Sequence, residues 1–159
     1  MLRSLFSLLL VCVLMTACQQ QQGTHITSLA DLPLKDTTPP KFNWQNAPLR
    51  ANAQYILCEA NSEAERKAKI GDYYFLRWYD AEPQKPVRVV MKYTQAKTGP
   101  EVLEIVKEHK APRESKGEHK EKFFFNGAER AEQGDILSWR IELWCDGKLV
   151  DSRQSYLWE

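Results

Sequence analysis

The chain has 159 residues, with 22 Lys and Arg against 21 Asp and Glu and a formal charge of +1. So even a balance provides no basic stripe for a nucleic-acid backbone, and the length suits one domain with an appendage rather than two. No Gly-x-Ser-x-Gly elbow, phosphate-cradling glycine loop, paired-cysteine metal motif or dinucleotide fingerprint occurs, so the chain is expected to be non-catalytic, with no cofactor and no metal.

Arg3 followed by an apolar run from Leu5 to Leu14, broken only by Ser7, has the pattern of a secretory signal. The run is about ten residues, short of the roughly 20 that cross a bilayer as a helix. It ends in Met15-Thr16-Ala17-Cys18, two small residues and a cysteine, which resembles the lipobox of bacterial lipoproteins. The resemblance covers residues 1–18 and implies cleavage before Cys18, a diacylglycerol thioether on its sulfur and an acyl chain on its amine. Gln19 at the next position implies an outer-membrane anchor, with the domain expected on the periplasmic face. More than one chain makes such anchoring stable, each buried CH₂ contributing about 0.8 kcal/mol. Loss of Arg3 with the signal brings the formal charge to zero.

Of the four cysteines, Cys12 leaves with the signal and Cys18 carries lipid. Cys58 and Cys145 remain, and an oxidising compartment favours a bond between them. Residues 18–51 open with glutamines and hold Pro33, Pro39, Pro40 and Pro48 without sustained periodicity, the texture of a flexible tether. Phe42 and Trp44 near its end are expected to dock onto the chain's own domain.

From residue 52 to 159 short runs rich in Val, Ile, Tyr, Phe and Trp alternate with Gly, Pro, Asp and Asn. Strands are predicted at 54–59, 72–80, 86–95, 101–107, 119–126, 135–145 and 148–158; Ser62 and Glu65 fit a capping box that would open a helical turn, with a loop or short edge strand as equal alternatives. Tyr74, Leu76 and Trp78 share one face of their strand, as do Val87, Val89, Met91 and Tyr93 of the next. Asp146-Gly147 marks a two-residue type I′ hairpin. Pairing Cys145 with Lys148 would set Leu143 opposite Val150 and Trp139 opposite Gln154. Trp139, Ile141, Leu143, Cys145, Val150, Tyr156 and Trp158 would then share the core face, leaving Glu142 and Asp151 opposite one another on the wet face. About seven antiparallel strands in this length make an all-β protein, a single β-sandwich of immunoglobulin or fibronectin III-like pattern.

His25, His109 and His119 are the three histidines. The last two lie within a charged stretch, 108–122, expected to be a solvated connection rather than a metal site. Aromatics that alternate away from the core faces are the remaining handle for binding, namely Trp144, Tyr73, Phe75 and Tyr79, with Phe124 beside them. The expected protein is therefore a lipid-anchored envelope module whose sandwich binds or scaffolds another envelope protein. The alternative is a carbohydrate-binding module for cell-wall or exogenous glycans.

Overall fold

The computed structural model describes residues 23–35 and 47–158, the side chain of Leu49 excepted. The signal segment, Cys18, Phe42 and Trp44 lie outside the described residues. Seven strands, β1 (His25–Leu34), β2 (Gly71–Asp80), β3 (Val87–Gln95), β4 (Leu103–His109), β5 (Gly117–Asn126), β6 (Ile136–Cys145) and β7 (Lys148–Gln154), form two antiparallel sheets. One sheet runs β1-β2-β5 and the other β4-β3-β6-β7, and they pack face to face as a sandwich. Among the described residues three short helices join them: α1 (Ala47–Cys58), α2 (Glu63–Ala68) and α3 (Gly127–Gln133).

Six of the predicted strands occur within a few residues of their expected bounds, and two expectations are corrected. Residues 54–59 belong not to a strand but to α1. Ala53, Ile56 and Leu57 recur at helical spacing and bury one stripe against Leu32, Leu34 and Tyr73 of the three-stranded sheet. Pro48 stands in the first helical turn, where its missing N–H costs nothing. The seventh strand is instead β1, inside the stretch read as tether. Among the described residues it pairs with β2 alone, and an edge strand can carry Pro33 because one side of its backbone needs no ladder partner.

The inner faces meet in a core whose largest fully buried side chains include Trp78, Phe125, Leu76, Met91, Ile141 and Leu143. Tyr74, Leu76 and Trp78 all point inward, as their alternation predicts. Each such burial contributes about 1.5–3 kcal/mol. Gly71 lies where β2 crosses β5 closely, since a Cβ there would stand 2.2 Å from the Phe125 carbonyl oxygen. The expected capping box closes α2: Ser62 Oγ accepts from the Glu65 N–H at 3.1 Å, and Glu65 Oε2 accepts from the Ser62 N–H at 3.2 Å.

The β6–β7 hairpin turns through Asp146 (φ 51°) and Gly147 (φ 74°), the left-handed pair of a type I′ turn. Cys145 faces Lys148 as predicted, but the register then shifts, so that Leu143 faces Asp151 and Glu142 faces Ser152. The expected pairings of Leu143 with Val150, of Glu142 with Asp151 and of Trp139 with Gln154, which instead faces Arg140, are thereby corrected. Val150 and Tyr156 are exposed rather than core. The bulge has a purpose visible across the sandwich. It turns Asp151 toward β1, where Oδ2 accepts the Ile26 backbone N–H at 2.9 Å, while Arg153 Nη2 donates to the Ile26 carbonyl at 3.3 Å. Edge backbone groups of one sheet are thus satisfied by side chains of the other.

Cys58 and Cys145 are both free thiols, which corrects the expected disulfide. Cys145 is buried in the inter-sheet core. Cys58 is exposed at the end of α1, on the outer side of the three-stranded sheet, and its thiol donates to the Tyr55 carbonyl at 3.1 Å. A whole sheet separates the two layers, so no rotamer change can join them.

Candidate functional site

Antiparallel register places successive rows of side chains on the outer face of the three-stranded sheet. Leu32, Tyr73 and Phe124 form one row, Ala30, Phe75 and Lys122 the next, then Ser28, Arg77 and Lys120, and beyond them Tyr79 with Glu118. The rows grade from apolar to cationic along the strands. Among the described residues helix α1 lies over the apolar end, and the remainder of the face forms a trough between helix and sheet.

At the apolar end a pocket of about 210 Å³ is lined by Tyr55, Ile56, Tyr73, Phe75 and Phe124. The rings of Tyr73 and Phe124 stack with centroids 6.5 Å apart and planes 30° off parallel. The Tyr73 hydroxyl donates to the Lys69 carbonyl at 2.5 Å and accepts from Asn126 Nδ2 at 2.8 Å. Burial raises its ionisation above the ordinary tyrosine range, against the opposing pull of Asn126 and Lys69. A wider cavity of about 560 Å³ continues over Ser28, Ala30, Asn52, Arg77 and Lys120. Tyr55, Phe75 and Lys122 line both spaces. Tyr55 and Phe124 remain 57% and 58% exposed, and the Lys122 ammonium lies 5.4 Å from the Tyr55 ring centroid.

Three of the four aromatics singled out by alternation, Tyr73, Phe75 and Tyr79, fall on this face. Tyr79 sits at its far end, 5.8 Å from the His25 ring. Trp144 does not join them, because it lies on the outer face of the other sheet. There the Arg88 guanidinium stands 5.8 Å from the indole, whose N–H donates to Glu142 at 3.0 Å. Glu142 itself is buried and ion-paired with Lys92 and Arg140, each at 3.1 Å. Tyr55, Arg77, Lys120 and Lys122 escaped sequence reasoning as site residues. The parity of Lys120, Lys122 and Phe124 on β5 was readable, but the helix that turns their face into a trough was not.

The histidines are not in a solvated loop either, which corrects that expectation. His109 and His119 close β4 and open β5, with ring centroids 6.1 Å apart. Both rings contact Trp78, His119 stacking at 4.4 Å and 16° and His109 edge-on at 5.2 Å. Lys107 and His109 point inward from β4 to Glu121 of β5, at 3.1 and 3.0 Å. Burial tends to raise the Glu121 carboxyl, but hydrogen bonds and charge from His109 and Lys107 outweigh it and hold it below the usual range. Inward-pointing charges on two neighbouring edge strands also discourage edge-to-edge association. Among the described residues no group of three or more His, Cys, Asp or Glu is placed to hold a metal ion, and no helix is long and apolar enough to cross a membrane.

The chain matches no protein-family model, no curated protein and no solved structure at a significant level.

Proposed function

We propose that this chain is a lipid-anchored cell-envelope protein, held through Cys18 on the periplasmic face of the outer membrane, whose sandwich binds a segment of another envelope protein in the trough beside α1. The observation that carries the reading is the exposure of Tyr55 and Phe124 around an apolar pocket, since large exposed apolar side chains grouped at a concavity mark binding surfaces. No chemistry is assigned to the domain. The buried carboxylates Asp80 and Glu142 and the half-buried Glu121 serve structural pairs, Asp80 with Arg113, Glu121 with Lys107 and His109, and Glu142 with Lys92 and Arg140.

An immunoglobulin or fibronectin III-like topology is part of the proposal. Strands β1-β2-β5 and β3-β6-β7 occupy the places of A-B-E and C-F-G in the immunoglobulin arrangement, with β4 moved across to flank β3. The chain departs from the antibody-domain pattern in two respects. Trp78 stands on the second strand rather than the third, and no B–F disulfide is present among the described residues.

A glycan is the second reading, favoured by the stacked Tyr73 and Phe124 with an amide alongside. It ranks lower because Tyr73 is only 7% exposed, leaving Phe124 as the one accessible ring face of that pair. Mild crosslinking in intact envelopes separates the readings. A specific protein recovered with the wild type and with Trp144→Ala, but lost with Phe124→Asp, is expected. The same recovery from Phe124→Asp would overturn the site, and retention of Phe124-dependent binding by purified glycan alone would favour the second reading. Mass spectrometry of the membrane fraction should find Cys18 acylated; an unmodified Cys18 would refute the anchor.

A further inference from the structure

Among the described residues, the part of the trough that α1 leaves open is lined by cationic side chains with few partners of their own. Arg77 is engaged by Glu118 at 3.5 Å on the rim, both side chains being about half exposed. Glu121, the carboxylate between Lys120 and Lys122 in sequence, points to the opposite side of the sheet, toward Lys107 and His109. Among the described residues Lys120 and Lys122 have no carboxylate within ion-pair distance. Three cationic groups therefore project into one concavity, next to the rings of Phe75 and Tyr55 and over a floor of small side chains, Ser28 and Ala30.

From this we infer that the trough recognises an extended acidic peptide segment in which an apolar residue and a carboxylate stand two positions apart. The inference rests on the proposed binding role and names the partner's chemistry. Phe75 and Arg77 are two residues apart on β2, so the apolar and cationic positions lie about 7 Å apart along the strand direction, the advance of two residues in an extended chain. Alternate side chains of such a segment face the same way and can fill both positions together. The guanidinium offers a bidentate fork to a carboxylate, and the two ammonium groups supply point charges beside it. A concave site walled by a helix favours a chain segment over a lipid surface, because a flat array of headgroups cannot reach the Ser28–Ala30 floor.

The test uses the full chain, processed as the cell processes it, and synthetic heptapeptides of serine carrying Phe and two Glu at alternate positions, in both chain directions. Binding is read by calorimetry at low and high salt, against counterparts with Gln in place of Glu. At least one acidic peptide should bind about ten-fold or more tightly than its Gln counterpart, the preference shrinking as salt screens it. Lys120→Gln with Lys122→Gln, both on the surface and checked for an unchanged thermal midpoint, should abolish that preference. Equal binding of Glu and Gln peptides would overturn the acidic preference while leaving a peptide-binding trough. No peptide binding, with lysine-dependent binding to phosphatidylglycerol vesicles instead, would overturn the peptide assignment in favour of a membrane surface. No binding of either kind refutes this inference, and the broader reading falls with it only if Phe124→Asp also leaves the crosslinked partner unchanged.

Discussion

Replacing Arg113 by Ala should be the most damaging single change at the end of the sandwich that holds the β2–β3 and β4–β5 loops. Asp80 is fully buried and Arg113 is 11% exposed in its side chain, with Nε donating to Asp80 Oδ2 at 2.6 Å. The remaining guanidinium N–H groups donate to the carbonyls of Glu82 and Lys85 in one loop and of His109 and Lys110 at the start of the other. Truncation leaves Asp80 a buried charge, whose other partners are the Glu82 N–H at 3.1 Å and His119 at 3.9 Å. Removing one member of a buried pair costs about 3–5 kcal/mol, whereas the loop carbonyls can turn to water and add little. For a domain of this size the thermal midpoint should fall by about 10–20 °C. Thermal and urea unfolding followed by circular dichroism would measure it. Adding Asp80→Asn to Arg113→Ala should recover at least about 1.5 kcal/mol through the lost coupling. A midpoint for Arg113→Ala within about 3 °C of wild type, or strictly additive costs in the cycle, would refute the argument that the pair secures this end of the fold.

Three further outcomes are expected. Glu121→Gln should destabilise by about 1–2 kcal/mol at neutral pH, since charge-assisted bonds to Lys107 and His109 are lost. Because the Glu121 carboxyl is held below its ordinary value, its stabilisation is present above about pH 4.3 and disappears as pH falls further, so the deficit of the variant should close on acidification; a deficit that grows in acid contradicts the assignment. Gly71→Ala should cost about 2 kcal/mol or more, because the new Cβ meets backbone rather than a movable side-chain tip, and hydrogen exchange at the β2–β5 pairing should rise. In the native protein a thiol reagent should modify Cys58 readily and Cys145 only on unfolding; denaturation without reductant should expose both, and protection of both would restore the disulfide.

Much of this fold was legible in local patterns. Alternation in Tyr73–Tyr79 and Val87–Tyr93 assigned the correct inward faces, and Asp146-Gly147 located the hairpin. Both signals are local, set by the two-residue pleat and by the left-handed φ values of the turn. The misreadings have equally specific causes. Residues 54–59 are too short a window to separate a helix from a strand, and only the stripe running back to Ala53 resolves them. Pro33 disguised β1, although an edge position tolerates it.

The sequence by itself determined the class of the fold, the inward faces of its central strands and the hairpin turn, because each follows from residues close together in the chain. Tertiary structure alone decided the β7 bulge, which exists to bring Asp151 to the Ile26 backbone 125 residues away. It likewise separated Cys58 from Cys145, and Trp144 from Tyr73 and Phe75, by whole sheets. The trough belongs to the same category: Tyr55 comes from a helix, Phe75 from β2 and Lys120 from β5. Their meeting depends on which face of a sheet a helix covers, a choice made by long-range burial.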